Sequence, residues 1–220
     1  MEAREIEAKR IAELLLEIKA VFLQPKEPFT WASGIKSPIY CDNRVILSYP
    51  DVRKEVEAAL ARLVLQRYPN CALLAGTSTA GIAHAALVAE RLGLPMVYVR
   101  GSKKDHGRAQ LIEGRAQPGQ LAVVIEDLIS TASSALGVVA VLRASAINVL
   151  GIACIFTYGL KSGLDAMAEA DVANFSLLDY DTLIEVALTR NFISAGDVKA
   201  LHAFRENPQS SDWQNFGISG

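Results

Sequence analysis

The stretch Val123-Val124-Ile125-Glu126-Asp127-Leu128-Ile129-Ser130-Thr131-Ala132-Ser133-Ser134 decides how this 220-residue chain is read. It opens on an apolar run suited to a strand buried on both faces, and the run meets two adjacent carboxylates. Burying such a pair is costly unless the acids meet hydroxyls, a cation or a bound metal. A hydroxyl-rich turn into a helical pattern follows, and backbone N–H groups at a helix start cradle phosphate. Carboxylates able to hold a diol beside a phosphate cradle describe a site for a ribose 5-phosphate. On spacing alone a plain alternative stands beside it: an N-capped helix after a strand, with one acid turned to solvent.

Outward from this stretch the chain alternates. Apolar runs at 71–75, 95–99, 121–125, 148–156 and 172–178 read as buried strands. Helical patterns lie at 81–92, 133–144, 161–170, 180–189 and 195–205. Alternation of this kind predicts an α/β fold, a central parallel sheet flanked by helices on both faces. Before it, residues 3–23 read as a helix with Ile11, Leu14, Leu15, Ile18 and Phe22 on one face. Prolines and aromatics punctuate 25–50, and Pro50 starts a second helix carrying Val52, Val56, Leu60 and Leu63 inward. The tail from Asn207 is polar and is expected to be loosely held.

Composition narrows the function classes. With 51% hydrophobic and 21% charged residues and a net charge of −2, the chain is neither disordered nor a basic nucleic-acid coat. Residues 68–89 contain no Asp, Glu, Lys or Arg, and between Asp127 and Lys161 only Arg143 is charged. Either stretch has membrane-spanning length, yet Pro69, Asn70, Thr77, Ser78 and His84 break the first, and Ser130, Thr131, Ser133, Ser134 and Asn148 the second. The first residues carry Glu and Arg where a secretory signal has a basic start and an apolar run. Three dispersed cysteines form neither a disulfide framework nor a zinc spacing. A soluble cytoplasmic protein is expected.

Ligands of open α/β sheets bind at the carboxyl ends of the strands, so two further strand exits matter. Gly76-Thr77-Ser78-Thr79-Ala80-Gly81 is a small-residue turn into a helix, compatible with an anion or with packing alone. Arg100-Gly101-Ser102-Lys103-Lys104-Asp105-His106-Gly107-Arg108 is the densest basic segment, either a solvated loop or a lid that neutralises a leaving group. His84, on an apolar helix, reads as a core or interface residue, and Cys71 and Cys154 as small core residues.

At these residues the sequence resembles the type I phosphoribosyltransferases, and among them the bacterial orotate phosphoribosyltransferases. The resemblance is carried by Phe29-Thr30-Trp31-Ala32-Ser33-Gly34, by Ser37 to Arg44, by Thr79 to Ala86 and by Tyr98-Val99-Arg100. Lys104-Asp105-His106-Gly107, Ile112-Glu113-Gly114, Glu126 to Thr131, Ile155 to Leu160 and Asp179 to Leu183 complete it, in order, from about residue 10 to 210.

The resemblance implies one phosphoribosyltransferase domain over 1–220: a hood segment at about 1–45, a core at 46–178, C-terminal helices at 179–206 and a tail at 207–220. It implies transfer of the phosphoribosyl group of phosphoribosyl pyrophosphate (PRPP) to orotate. Lys104, His106 and Asp127 would be catalytic. PRPP would meet Arg100, Lys103, Lys104 and His106, the pair Glu126 and Asp127, the turn Ser130, Thr131, Ala132, Ser133 and Ser134, and Thr77, Ser78 and Thr79. Ser130, Trp31, Tyr40 and Tyr158 would contact orotate. Mg2+ would be the cofactor, held mainly through PRPP with no direct side-chain ligand. A homodimer is implied, loop 100–115 of one copy completing the neighbouring site, with no nucleic-acid or membrane partner. Ala132 and Ser133 replace glycines of relatives, and Ala132 would be strained if its φ were positive. A purine phosphoribosyltransferase, or an impaired PRPP-binding relative or regulator, are the alternatives.

Overall fold

The computed structural model describes residues 2–31, 34–101 and 111–216. The chain opens with helix α1 (Glu2–Glu17), strands β1 (Val21–Leu23), β2 (Phe29–Thr30), β3 (Lys36–Ser37) and β4 (Ile39–Cys41), and a 3-10 turn (Asn43–Ser48). Next come α2 (Pro50–Arg67), β5 (Leu73–Thr77), α3 (Ala80–Leu92), β6 (Met96–Val99), β7 (Ile112–Glu113) and β8 (Leu121–Ile129). The remainder is α4 (Ser133–Ala144), β9 (Asn148–Thr157), α5 (Lys161–Glu169), β10 (Asn174–Asp179), α6 (Tyr180–Thr189), α7 (Ala195–Glu206) and a second 3-10 turn (Asp212–Phe216).

Six strands form the main sheet in the order β10-β9-β8-β5-β6-β7, parallel except for β7, which runs antiparallel to β6. The chain runs outward from β5 to β6 and β7, then returns to the other side of β5 as β8 and continues outward to β9 and β10. Strand order therefore reverses between β5 and β8, which lie side by side with Leu73 opposite Ala122 and Gly76 opposite Ile125. At such a reversal the loops leaving the two strands diverge to opposite faces and open a crevice.

Side-chain alternation along β8 feeds two cores. Val123 and Ile125 enter one with Leu15, Leu60, Val88 and Leu183, while Ala122 and Val124 enter another with Val138 and Leu142. Helices cover both faces, which is why the strand reads as a continuous apolar run. Local chemistry sets the helix starts. Pro50 sits at the first position of α2, with Asp51 in its first turn. Asp179 caps α6 by accepting from the Thr182 N–H at 2.9 Å, and Ser194 and Asp197 form a capping box on α7.

Three sequence expectations need correction. The first helix stops at Glu17 rather than reaching 23, because Lys19 turns the chain with a φ of 57° and Val21–Leu23 pair antiparallel with β4. Ile11, Leu14, Leu15 and Ile18 are buried as expected, but Phe22 belongs to a strand. Strand β8 does not end at the acidic pair. Pairing with β9 continues from Leu121 opposite Asn148 to Ile129 opposite Thr157, since β9 is long enough to supply partners beyond Glu126. The tail is not free: Trp213 is 1% exposed and packs on Phe204 at 5.7 Å between ring centroids. Among the described residues, no helix is long and apolar enough to cross a membrane. The uncharged stretches are β5 running into α3, and the turn, α4 and β9.

Candidate active site

The exit of β5 is a packed joint. A Cβ built on Gly81 would stand 2.5 Å from the Ile125 carbonyl oxygen, so the first turn of α3 seats directly on β8. The Ser78 hydroxyl donates to the Val99 carbonyl, and the Ser78–Thr79 peptide is cis. The Thr77 hydroxyl is buried without a hydrogen-bond partner among the described residues, and Thr79 is exposed.

The two acids are consecutive on β8, and their carboxyl groups interact with each other. Glu126 is 5% exposed and accepts from the Asp127 N–H at 3.0 Å. Burial above all, and then the neighbouring Asp127, holds its carboxyl well above the usual carboxylate range. Asp127 is half-buried, and its carbonyl accepts from the Asn43 side-chain amide at 2.7 Å. Asn43 is fully buried and ties the first 3-10 turn to the acidic strand. His84 of α3 is also fully buried, both ring nitrogens lacking partners among the described residues. Burial lowers its pKa against the opposing pull of Asp127.

The exit of β8 is an open cup formed by Glu126, Leu128 and the turn Ser130 to Ser134. Thr131, Ser133 and Ser134 are exposed, and the Thr131 and Ser133 hydroxyls lie 3.3 Å apart. Ala132 stands at the N-cap of α4 with a φ of 64° and no side-chain cap, so an incoming anion meets uncapped N–H groups. The positive φ is the strained alternative for this alanine. From below, α5 presses on the turn: a Cβ on Gly163 would lie 2.3 Å from the Ser130 carbonyl oxygen.

At the exit of β6 the Arg100 N–H donates to Leu111 at 2.9 Å, closing the base of the basic loop. The Arg100 guanidinium lies 3.8 Å from Glu113, and its Nη1 is buried without a hydrogen-bond partner among the described residues. One cleft of about 400 Å3 unites the three exits, lined by Thr77 and Ser78, by Arg100, and by Ser133 and Ser134. Lys103, Lys104 and His106 lie outside the described residues.

The expected pyrimidine contacts separate. Trp31 donates its indole N–H to Ile39 at 3.2 Å and packs on Tyr158 and Phe204 at 5.5 and 5.6 Å. Tyr158 is 2% exposed within that aromatic cluster. Tyr40 is 37% exposed and rests on Phe29, and Ser130 is half-buried at the cup. Sequence reasoning assigned no role to Asn43 or Gly163. Asn43 stood inside a quoted segment, but a polar residue there gives no sign that it will be buried. Gly163 follows a strand and a turn, and only the packing of α5 shows what its missing side chain permits.

A strand reversal, an acidic pair on the central strand and an uncapped hydroxyl-rich turn make an α/β site suited to a phosphorylated ligand, and known folds point the same way. The structure aligns with Leishmania donovani UMP synthase at a TM-score of 0.78 and 23% identity, over 90% of this chain and 42% of that one. It aligns with Aeropyrum pernix orotate phosphoribosyltransferase at a TM-score of 0.68 and 26% identity, over 80% and 97%. The chain has the type I phosphoribosyltransferase fold. Its sequence matches no family model. It is, however, 53% identical over 213 residues to the orotate phosphoribosyltransferase of Bacillus subtilis, covering 97% of this chain and 99% of that protein. The Bacillus cytotoxicus protein of that name is 53% identical over 205 residues, covering 93% and 98%. The chain belongs to the orotate phosphoribosyltransferase family.

Proposed function

We propose that this enzyme transfers the phosphoribosyl group from PRPP to orotate, giving orotidine 5-monophosphate and pyrophosphate, in pyrimidine (UMP) biosynthesis. The observation that carries this reading is 53% identity over 97% of the chain to a protein of that name. The geometry suits it. Glu126 and Asp127 hold the ribose 2- and 3-hydroxyls. The Ser130 to Ser134 turn receives the 5-phosphate through hydroxyls and the uncapped start of α4. Thr77 to Thr79 lie beneath the pyrophosphate, and Arg100 meets it from the exit of β6.

Cleavage of the C1–pyrophosphate bond builds oxocarbenium character on the ribose and negative charge on the leaving group. Arg100, Lys103 and Lys104 stabilise that charge, and His106 hydrogen-bonds or protonates the departing oxygen. Asp127 fixes the ribose while the pyrimidine nitrogen attacks C1. Tyr40 and Ser130 contact the orotate, and Trp31 and Tyr158 support the wall behind them. Among the described residues, no cluster of three or more His, Cys, Asp or Glu side chains can hold a metal by itself. The open phosphate cup nevertheless suits Mg2+ held mainly through the oxygens of PRPP, with no direct side-chain ligand. Bound there, Mg2+ would neutralise charge on the pyrophosphate. We further place the enzyme in the cytoplasm, where the free thiols of Cys41, Cys71 and Cys154 persist, as a homodimer whose 100–115 loops complete each other's sites.

The test is the loss of orotate absorbance on mixing the protein with orotate, PRPP and Mg2+. Consumption that depends on all three components supports the reading. No consumption, with PRPP still bound tightly by calorimetry, overturns it in favour of an inactive relative.

A further inference from the structure

The C-terminal segment contributes Trp213, which sits far along the chain from every residue given a role above. Its side chain is 1% exposed and meets Phe204 edge-on, at 5.7 Å and 80°. Phe204 meets Trp31 edge-on in turn, at 5.6 Å and 89°. Trp31 then meets Tyr158 at 5.5 Å, and the Tyr158 N–H donates to Ile129 at the exit of β8. A line of rings therefore runs from the second 3-10 turn through Trp31, next to β2, to Tyr158, whose backbone is hydrogen-bonded to the end of β8. A second observation points the same way. The hairpin tip at Gly34, Ile35 and Lys36 and the tail at Pro208, Gln209 and Gln214 form opposite walls of one cleft.

The hairpin needs such a support. Strands β2 and β3 are two residues each and pair at Phe29–Ser37 and Thr30–Lys36. An isolated hairpin of this length is not stable in water, so contacts from outside must hold it. Edge-to-face aromatic pairs attract beyond the area they bury, and here they link the hairpin to the helix and tail that follow.

We propose that Trp213 is a positioning residue for the orotate side of the active site, acting through Phe204 on Trp31 and the hairpin. The proposal rests on the functional reading above, in which Trp31 supports the wall behind the orotate contacts. Trp213 touches no reacting atom, and its effect falls on orotate affinity rather than on PRPP or the chemical step.

The chain has two tryptophans, so each is a reporter once the other is replaced. In Trp213→Phe, which keeps the ring contact, Trp31 emission is expected to stay blue-shifted and poorly quenched by iodide. In Trp213→Ala it is expected to shift to the red and become quenchable while far-UV circular dichroism is unchanged. The same alanine variant is expected to raise KM for orotate about fivefold or more, with KM for PRPP and kcat within about twofold, and Trp213→Phe to restore it. An unchanged Trp31 spectrum in folded Trp213→Ala overturns the coupling, whatever the enzyme's substrate is. Loss of secondary structure in that variant overturns it too, since Trp213 would then support the whole fold. A shifted spectrum in an enzyme with no orotate activity leaves the coupling in place and refutes the functional reading instead. A spectral shift with both KM values raised alike shows that the hairpin does not discriminate between the substrates, and overturns the proposal.

Discussion

Two strands lie side by side in this sheet and end in short turns of small residues, yet the turns are built for opposite ends. At the exit of β5 two groups serve packing: the Ser78 hydroxyl donates to Val99, and Gly81 lets α3 close onto Ile125. At the exit of β8 the polar groups are left over. Thr131, Ser133 and Ser134 point to solvent, and α4 starts without a side-chain cap. Both turns read alike as runs of Gly, Ser, Thr and Ala. The difference is that the first is also a mechanical joint, whereas the second, under the proposed function, is only a ligand cup, and each can be attacked separately.

The largest effect is expected at the joint. In Gly81→Ala the new methyl would need to displace the Ile125 carbonyl, a backbone group locked in the central sheet, from 2.5 Å. A loss of about 3 kcal/mol is expected, lowering Tm by roughly 6–12 °C in thermal unfolding. A wild-type Tm would mean that the joint is not tight. Gly163→Ala makes a clash just as close, 2.3 Å from the Ser130 carbonyl, but against a turn that lies beyond the end of β8 rather than within the sheet. The expected cost is therefore functional: KM for PRPP up about tenfold, with a Tm loss less than half that of Gly81→Ala. Equal Tm losses with KM unchanged would erase the distinction between joint and cup.

Glu126 sharpens the comparison electrostatically. Its folded pKa lies above its ordinary value of 4.5, because burial opposes the charge. The folded state holds that proton more tightly than the unfolded state does. The stabilisation is full below pH 4.5 and declines as pH rises through neutrality toward the raised value. Glu126→Gln, which mimics the protonated acid and keeps an oxygen for the Asp127 N–H, is expected to stabilise the ligand-free protein by about 1–2 kcal/mol at pH 8. No gain is expected at pH 4. Denaturant unfolding at the two pH values checks this, and an equal gain at both would assign the effect to packing rather than charge. The same variant is expected to bind PRPP more weakly, since a neutral amide is a poorer acceptor for ribose hydroxyls than a carboxylate.

How much of this was legible follows from where the information resides. The run 121–125 announced a strand because both of its faces are buried, and the hydroxyl turn announced a helix start. That β8 continues through Glu126 and Asp127 was not legible, because only the length of β9 supplies partners there. The first helix was overrun because Phe22 falls at helical spacing from Ile18, whereas the turn at Lys19 is set by the pairing of β1 with β4. A lone tryptophan in a polar tail gave no hint of docking, since its partner Phe204 faces it only once α7 is folded. Among the candidate site residues, chemistry-bearing types at strand exits were readable. The supporting ones, Asn43 and Gly163, act through burial and closeness, which no single position displays.

The smallest effect is expected at Ala132, the residue that most sets this cup apart from an ordinary phosphate turn. Its φ of 64° costs an L-residue about 1 kcal/mol, so glycine would relieve strain. Two terms oppose that gain. The alanine methyl is 5% exposed within the core under α4, and burying such a group is worth about 0.8 kcal/mol. Glycine also adds freedom to the unfolded chain, costing about 0.5–1 kcal/mol. The sum places Ala132→Gly within about 1 kcal/mol of the wild type, on the destabilised side, a Tm change of at most a few degrees. The turn itself loses its one side-chain anchor in the core, so KM for PRPP is expected to rise about twofold with kcat unchanged. A clear gain in both Tm and PRPP affinity would show instead that strain dominates, and that alanine holds this turn away from its best phosphate-binding shape.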